Sequence, residues 1–171
     1  EMPEEERALS RLMLVNMDPP EHVKYRRIVR NAFTPKAVQS YEERFREVAK
    51  ATIDRVATKG HCEFVIDVAA ELPLIAIMSL CGIPMEDKER FFDWTNTMIF
   101  TEDEDMSGVD GAIASQEAAI EVYAYAAALA EKHKTHKLTD IVGALLDGSV
   151  NDEKLTPDEF QVFFLMLIAA G

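Results

Sequence analysis

The run from Asp18 to Pro35, DPPEHVKYRRIVRNAFTP, constrains this chain more than any other stretch. From His22 to Lys36, one residue past its end, the chain holds five basic residues (Lys24, Arg26, Arg27, Arg30, Lys36) and no acid, against a net charge of −13. The rest therefore carries −18, the difference between −13 and +5. A local basic stretch on so acidic a chain asks for a specific anionic partner, while the bulk charge argues against nucleic acid. Asp18 is placed to cap a helix, with Pro19 at its first position and Glu21 as the third-position acid of a capping box. That helix is expected to reach about Asn31. His22, Arg26 and Arg30 then share one face at four-residue spacing, flanked by Lys24 and Arg27, and Val23, Ile28, Val29 and Phe33 supply apolar contacts. A His and an Arg one turn apart make a clamp for a carboxylate, because a guanidinium donates in fork geometry. A solvated basic face fits the same spacing.

The remaining pattern is helical almost throughout, in 171 residues of 48% hydrophobic composition with only seven Gly and seven Pro. Residues 1–17 read as a loop or short helix leading into the domain. Thr34-Pro35 repeats the cap-then-proline signal and opens a helix to about Lys59, ended by Gly60. His61 to Ile66 reads as a short strand. Asp67 to Leu80 reads as a buried helix in which Pro73 marks a kink or a later start. After a turn at Gly82-Ile83-Pro84, helices are expected over Glu86 to Phe100, Gly111 to His136 and Leu138 to Leu146, with an acidic loop, TEDEDMSG, before the second. Thr156-Pro157-Asp158-Glu159 is a full capping box that opens an apolar helix running to Gly171.

Several chemistries are excluded. Counted from Asp103, the acidic loop puts Ala114 where a calcium loop needs its bidentate Glu, and the stretch from Asp147 has Asp152 in place of the loop glycine. His133 and His136 read as a surface pair without a third metal ligand. Cys62 and Cys81 fit neither a zinc nor a redox spacing and read as reduced, partly buried thiols. No apolar run reaches the roughly 18 residues of a membrane span, and no signal segment is present, so a cytoplasmic location is expected.

The string MDPPEHVKYRRIVRNAFTP closely resembles the bacterial cytochrome P450 region in which a DPPxHxxxRxxxxxxFTP run sets a His and an Arg on the haem propionates. Here those positions are His22 and Arg26, and the ending is Phe33-Thr34-Pro35. LTPDEFQVFFLMLIAAG resembles the approach to that family's central helix, and Ala170-Gly171 matches the first two residues of its AG-x-(D/E)-T motif. The resemblance spans essentially the whole chain. It implies a mainly α, incomplete cytochrome P450 fold, with residues 1–171 as part of one domain. The N-terminal sheet and the C-terminal half with the haem-ligating cysteine and ExxR motif would lie outside it. Cys62 and Cys81 do not sit in the family's ligand loop.

The resemblance further implies haem b, held through His22 and Arg26 and ligated by a downstream cysteine. Met166, Ala169, Ala170 and Gly171 would face substrate and O2. Lys24, Arg27 and Arg30 would meet a ferredoxin-type electron donor. The helix from Glu86 and the one after the acidic loop would form a lid, with Met98, Ile99 and Phe100 either along the channel or packed in the core. The implied substrate is small and apolar: a steroid, terpenoid or fatty chain. The fragment alone is expected to be inactive. A helical binding or scaffolding module that docks an acidic partner on the basic helix fits the composition but not the two end motifs in this order.

Overall fold

The computed structural model describes residues 4–30, 33–99, 109–150 and 153–170. Its elements are α1 (Glu4–Leu12), a 3-10 turn (Leu14–Asn16), α2 (Glu21–Arg30), α3 (Pro35–Gln39), α4 (Glu42–Ala57), a π-helical turn (Val65–Ala69) and α5 (Glu71–Leu80). A second 3-10 turn (Met85–Asp87), α6 (Lys88–Ile99), α7 (Val109–Thr135) and α8 (Ile141–Asp147) follow. The antiparallel hairpin β1 (Ser149–Val150) and β2 (Glu153–Lys154) precedes α9 (Pro157–Ala170). The mainly α expectation holds.

The core forms where α6, α7 and α9 meet. On α7, Ala118, Val122, Ala126 and Leu129 are buried, a stripe at helical spacing whose small residues let neighbouring helices come close. α9 contributes Phe160, Phe163, Phe164 and Ile168, and α6 contributes Phe91 and Trp94. The Phe91 ring meets those of Trp94 and Tyr125 edge-on at 5.0 Å each, and that of Phe164 at 6.5 Å. Such edge-to-face geometry suits the ring quadrupoles. The polar tips stay bonded at the margin: Trp94 Nε1 donates to Glu121 at 3.0 Å, and the Tyr125 hydroxyl to Asp87 at 2.8 Å.

Helix boundaries follow local chemistry, and several differ from expectation. α2 begins at Glu21, so Glu21 is its first residue and not the third-position acid. Pro19 precedes Pro20, and a residue before proline is driven out of the α region. The expected helix from Pro35 to Lys59 is broken at Ser40-Tyr41, where Tyr41 N–H bonds back three residues to Val38 at 3.1 Å. α5 starts at Glu71, which puts Pro73 in its first turn, where the missing N–H costs nothing. α8 starts later than Leu138 because Asp140 caps it, accepting from Gly143 N–H at 3.0 Å.

Three further expectations are corrected. His61 to Ile66 is not a strand, and among the described residues no strand pairs with it. Glu63 and Asp67 bond the local backbone instead: Glu63 N–H donates to Asp67 Oδ2 at 2.9 Å and Val65 N–H to Glu63 Oε1 at 3.2 Å. Cys81 is fully buried, where desolvation, with Asp140 adding to it, pushes its thiol up to about 12; Cys62 is exposed and not a core thiol. His133 is buried and not part of a surface pair, whereas His136 is exposed. His133 Nδ1 accepts from Leu138 N–H at 3.1 Å, which leaves the proton on Nε2, 3.1 Å from Asp147 Oδ1. The acidic loop and Phe100 lie outside the described residues.

Two outcomes follow from these contacts. Gly82 has φ +64°, and a Cβ there would lie 2.0 Å from Oδ2 of Asp140, the cap of α8. Gly82→Ala is expected to cost about 2–3 kcal/mol in urea unfolding, from left-handed strain plus a displaced cap. In an Asp140→Ala background the cost should fall to about 1–2 kcal/mol, the strain alone; equal costs in both backgrounds would rule out the clash. Hydrogen bonds from Lys137 and His133 hold the Asp147 carboxyl at about 2, below its ordinary 3.8. A depressed carboxyl stabilises the fold above its unfolded value and stops doing so as pH falls through the folded one. Asp147→Asn should therefore lower Tm at neutral pH, with a deficit that shrinks between 3.8 and about 2; a deficit independent of pH would contradict the pairing.

Candidate functional site

α2 has two faces. Tyr25 and Ile28, three residues apart, are buried against the rest of the molecule. The Tyr25 hydroxyl donates to Oε1 of Glu159, while Glu159 Oε2 accepts from Thr156 N–H at 2.7 Å. Glu159 N–H in turn donates to Thr156 Oγ1 at 3.3 Å, which completes the capping box of α9. One carboxylate thus caps α9 and ties α2 to it. Burial raises the Glu159 carboxyl, but the hydrogen bonds from Tyr25 and Thr156 outweigh it and hold the group below its ordinary value. Burial and that same bond push the Tyr25 phenol well up, so the phenol keeps its proton and the carboxylate stays charged.

Two further contacts fix α2. The Lys24 ammonium pairs with Glu153 of β2, so Lys24 does not project as a free surface cation. Ile28 packs against Gly148, where any Cβ would lie 2.7 Å from the Ile28 Cγ2. Gly148 therefore needs to be glycine for close approach, although its φ is ordinary.

The opposite face of α2 opens on a groove of about 630 Å³. His22, Arg26 and Arg30 stand along one side, and Phe163, Met166 and Leu167 of α9 form the other. Leu14, Val23, Arg27 and Phe33 complete its lining. His22 is half-buried, and the three arginines are exposed. Among the described residues none of these four basic side chains makes an ion pair, in contrast to Lys24. A row of unneutralised guanidinium groups beside an apolar wall suits an amphipathic ligand that carries carboxylates. Among the described residues no cluster of three His, Cys, Asp or Glu side chains could hold a metal ion.

The structure thus brings His22, Arg26, Arg27, Arg30 and Met166 to one groove. Ala169 is half-buried and Ala170 exposed, neither lines the groove, and Gly171 lies outside the described residues. Met98 packs on the core and Ile99 is exposed. Sequence reasoning missed Phe163 and Leu167 as the groove wall, although they lie three before and one after Met166 on the same apolar helix. It also missed the Tyr25–Glu159 bond, whose acid had been assigned to the cap alone.

No protein-family model matches the chain. It is 37% identical over all 171 residues to a steroid C26-monooxygenase of Rhodococcus jostii and 38% identical over 163 residues to one of Mycolicibacterium smegmatis. Those alignments cover 100% and 95% of this chain but 35% and 37% of the relatives, so the chain spans little more than a third of their length. The solved structure of a Mycobacterium marinum cytochrome P450 in complex with pseudoionone superposes with a TM-score of 0.87 at 28% identity, covering 99% of this chain and 41% of that one. Relatives and superposition agree: the chain corresponds to part of a cytochrome P450.

Proposed function

We propose that this chain is the part of a haem-thiolate monooxygenase that seats the haem carboxylates and begins the oxygen-side helix. The observation that carries the reading is the groove itself, with His22, Arg26 and Arg30 on one wall and Phe163, Met166 and Leu167 on the other. Haem fits those residues: its macrocycle is apolar and its two propionates are anionic. His22 and Arg26 would hold the propionates and neutralise charge that is costly to bury unpaired. Arg30 continues the same row and extends the positive field.

When bound, thiolate-ligated haem supplies oxygen activation, because the thiolate pushes electron density that favours O–O cleavage. The residues of this chain orient and shield. Phe163 and Leu167 keep water from the apolar side of the groove, and Met166 adapts to the shape of what packs there. Ala169, Ala170 and Gly171 are small, so substrate and O2 could approach the backbone of the central helix closely. The whole protein would hydroxylate an apolar substrate of the steroid, terpenoid or fatty-chain class. The steroid C26-monooxygenase relatives and the solved relative that binds pseudoionone support that class. Arg27 and Arg30, exposed and without an ion pair among the described residues, would meet an acidic ferredoxin-type donor, with Lys24 contributing less because Glu153 already neutralises it.

Arg26→Ala in the full-length protein should lower haem retention roughly tenfold, the scale of one charge-assisted hydrogen bond. Haem content against protein after gel filtration reads this directly. Haem occupancy equal to that of the unmodified protein would remove Arg26 from the propionate role. The reduced carbonyl complex should also show the long-wavelength Soret band of a thiolate ligand, and its absence would sink the monooxygenase reading.

A further inference from the structure

A clamp on a helix works only if the helix is held at one rotation about its axis. Side-chain tips stand roughly 5–6 Å from a helix axis, so a 20° roll of α2 would move the ends of His22 and Arg26 by about 2 Å. Misplacement of even about 1 Å is enough to spoil a binding constellation.

Three contacts oppose such a roll, and they differ in kind. Lys24 with Glu153 is a solvent-facing ion pair of two flexible side chains, and such pairs constrain little. Ile28 against Gly148 is an apolar contact, which sets distance but tolerates sliding. The Tyr25 hydroxyl to Glu159 is a partly buried, directional, charge-assisted bond between a ring with few rotamers and a carboxylate already fixed by its second oxygen. Tyr25 lies three residues after His22 and next to Arg26, so it reports the rotation of both.

We infer that Tyr25 and Glu159 are positioning residues: the Glu159 carboxylate caps α9 with one oxygen and, with the other, fixes the rotation of α2, aiming His22 and Arg26 at the haem propionates. This rests on the propionate reading above. It also makes one carboxylate the joint between the helix that seats the haem edge and the helix that approaches its oxygen side.

The test is a double-mutant cycle in the full-length holoprotein, with haem loss followed by transfer to excess apomyoglobin. Tyr25→Phe keeps the ring and removes only the hydroxyl, and it should speed haem loss roughly three- to tenfold. Added to Arg26→Ala, the same change should matter little, roughly less than twofold, because there is no guanidinium left to aim. A full Tyr25→Phe effect in both backgrounds would mean general loosening and overturn the inference. So would a wild-type rate for Tyr25→Phe while Arg26→Ala alone loses haem faster, with the propionate reading intact. An unchanged rate for Arg26→Ala would overturn the propionate reading and this inference with it. If Tyr25→Phe does not fold, Glu159→Gln serves, since Gln can still complete a capping box while forming only a neutral bond to Tyr25.

Discussion

The structure depends on the burial of α9. Phe160, Val162, Phe163, Phe164 and Ile168 are all buried, and each contributes roughly 1.5–3 kcal/mol against exposure. Phe164 and Phe160 close the aromatic cluster with α6 and α7, which fixes the buried face of α9. Its other flank, Met166 and Leu167 with the edge of Phe163, becomes the wall of the groove. Its first turn carries Glu159 to the buried face of α2. Core packing and site geometry are therefore one problem, solved by a single helix.

Charge is used differently on the two faces of α2. On the inner face, Lys24 and Tyr25 are neutralised or tied by glutamates from the hairpin and from α9. On the outer face, the arginines have no ion-pair partner among the described residues, on a chain of net charge −13. Acids could have paired with them cheaply at i,i+4 positions, as Arg46 and Lys50 do with Glu42 and Asp54 on α4. Their absence from the outer face is the electrostatic mark of a site.

Most of the helical order was legible because it is written in local signals. The Thr156 to Glu159 box opened α9 at the expected residue, since both of its hydrogen bonds are local. The long α7 and the later start of α5, with Pro73 in its first turn, were legible from local pattern too. What failed depended on neighbours. Two adjacent prolines moved the start of α2, and the β-branched run before Asp67 lacked a partner strand among the described residues. His133 is buried beside Leu138 and Asp147, neighbours that its own helix does not reveal. At the site, spacing placed His22, Arg26 and Arg30 on one face, but no local pattern could say that Phe163 and Leu167 stand opposite, or that a capping acid is shared with Tyr25.

The central claim is that the groove between α2 and α9 receives the carboxylate edge of a haem. A crystal structure of the full-length holoprotein tests it most directly. The account predicts propionate oxygens within hydrogen-bond distance of His22 and Arg26, with the Tyr25–Glu159 bond intact beneath them. Propionates held by other residues, with His22 and Arg26 turned to solvent or covered by protein, would contradict it.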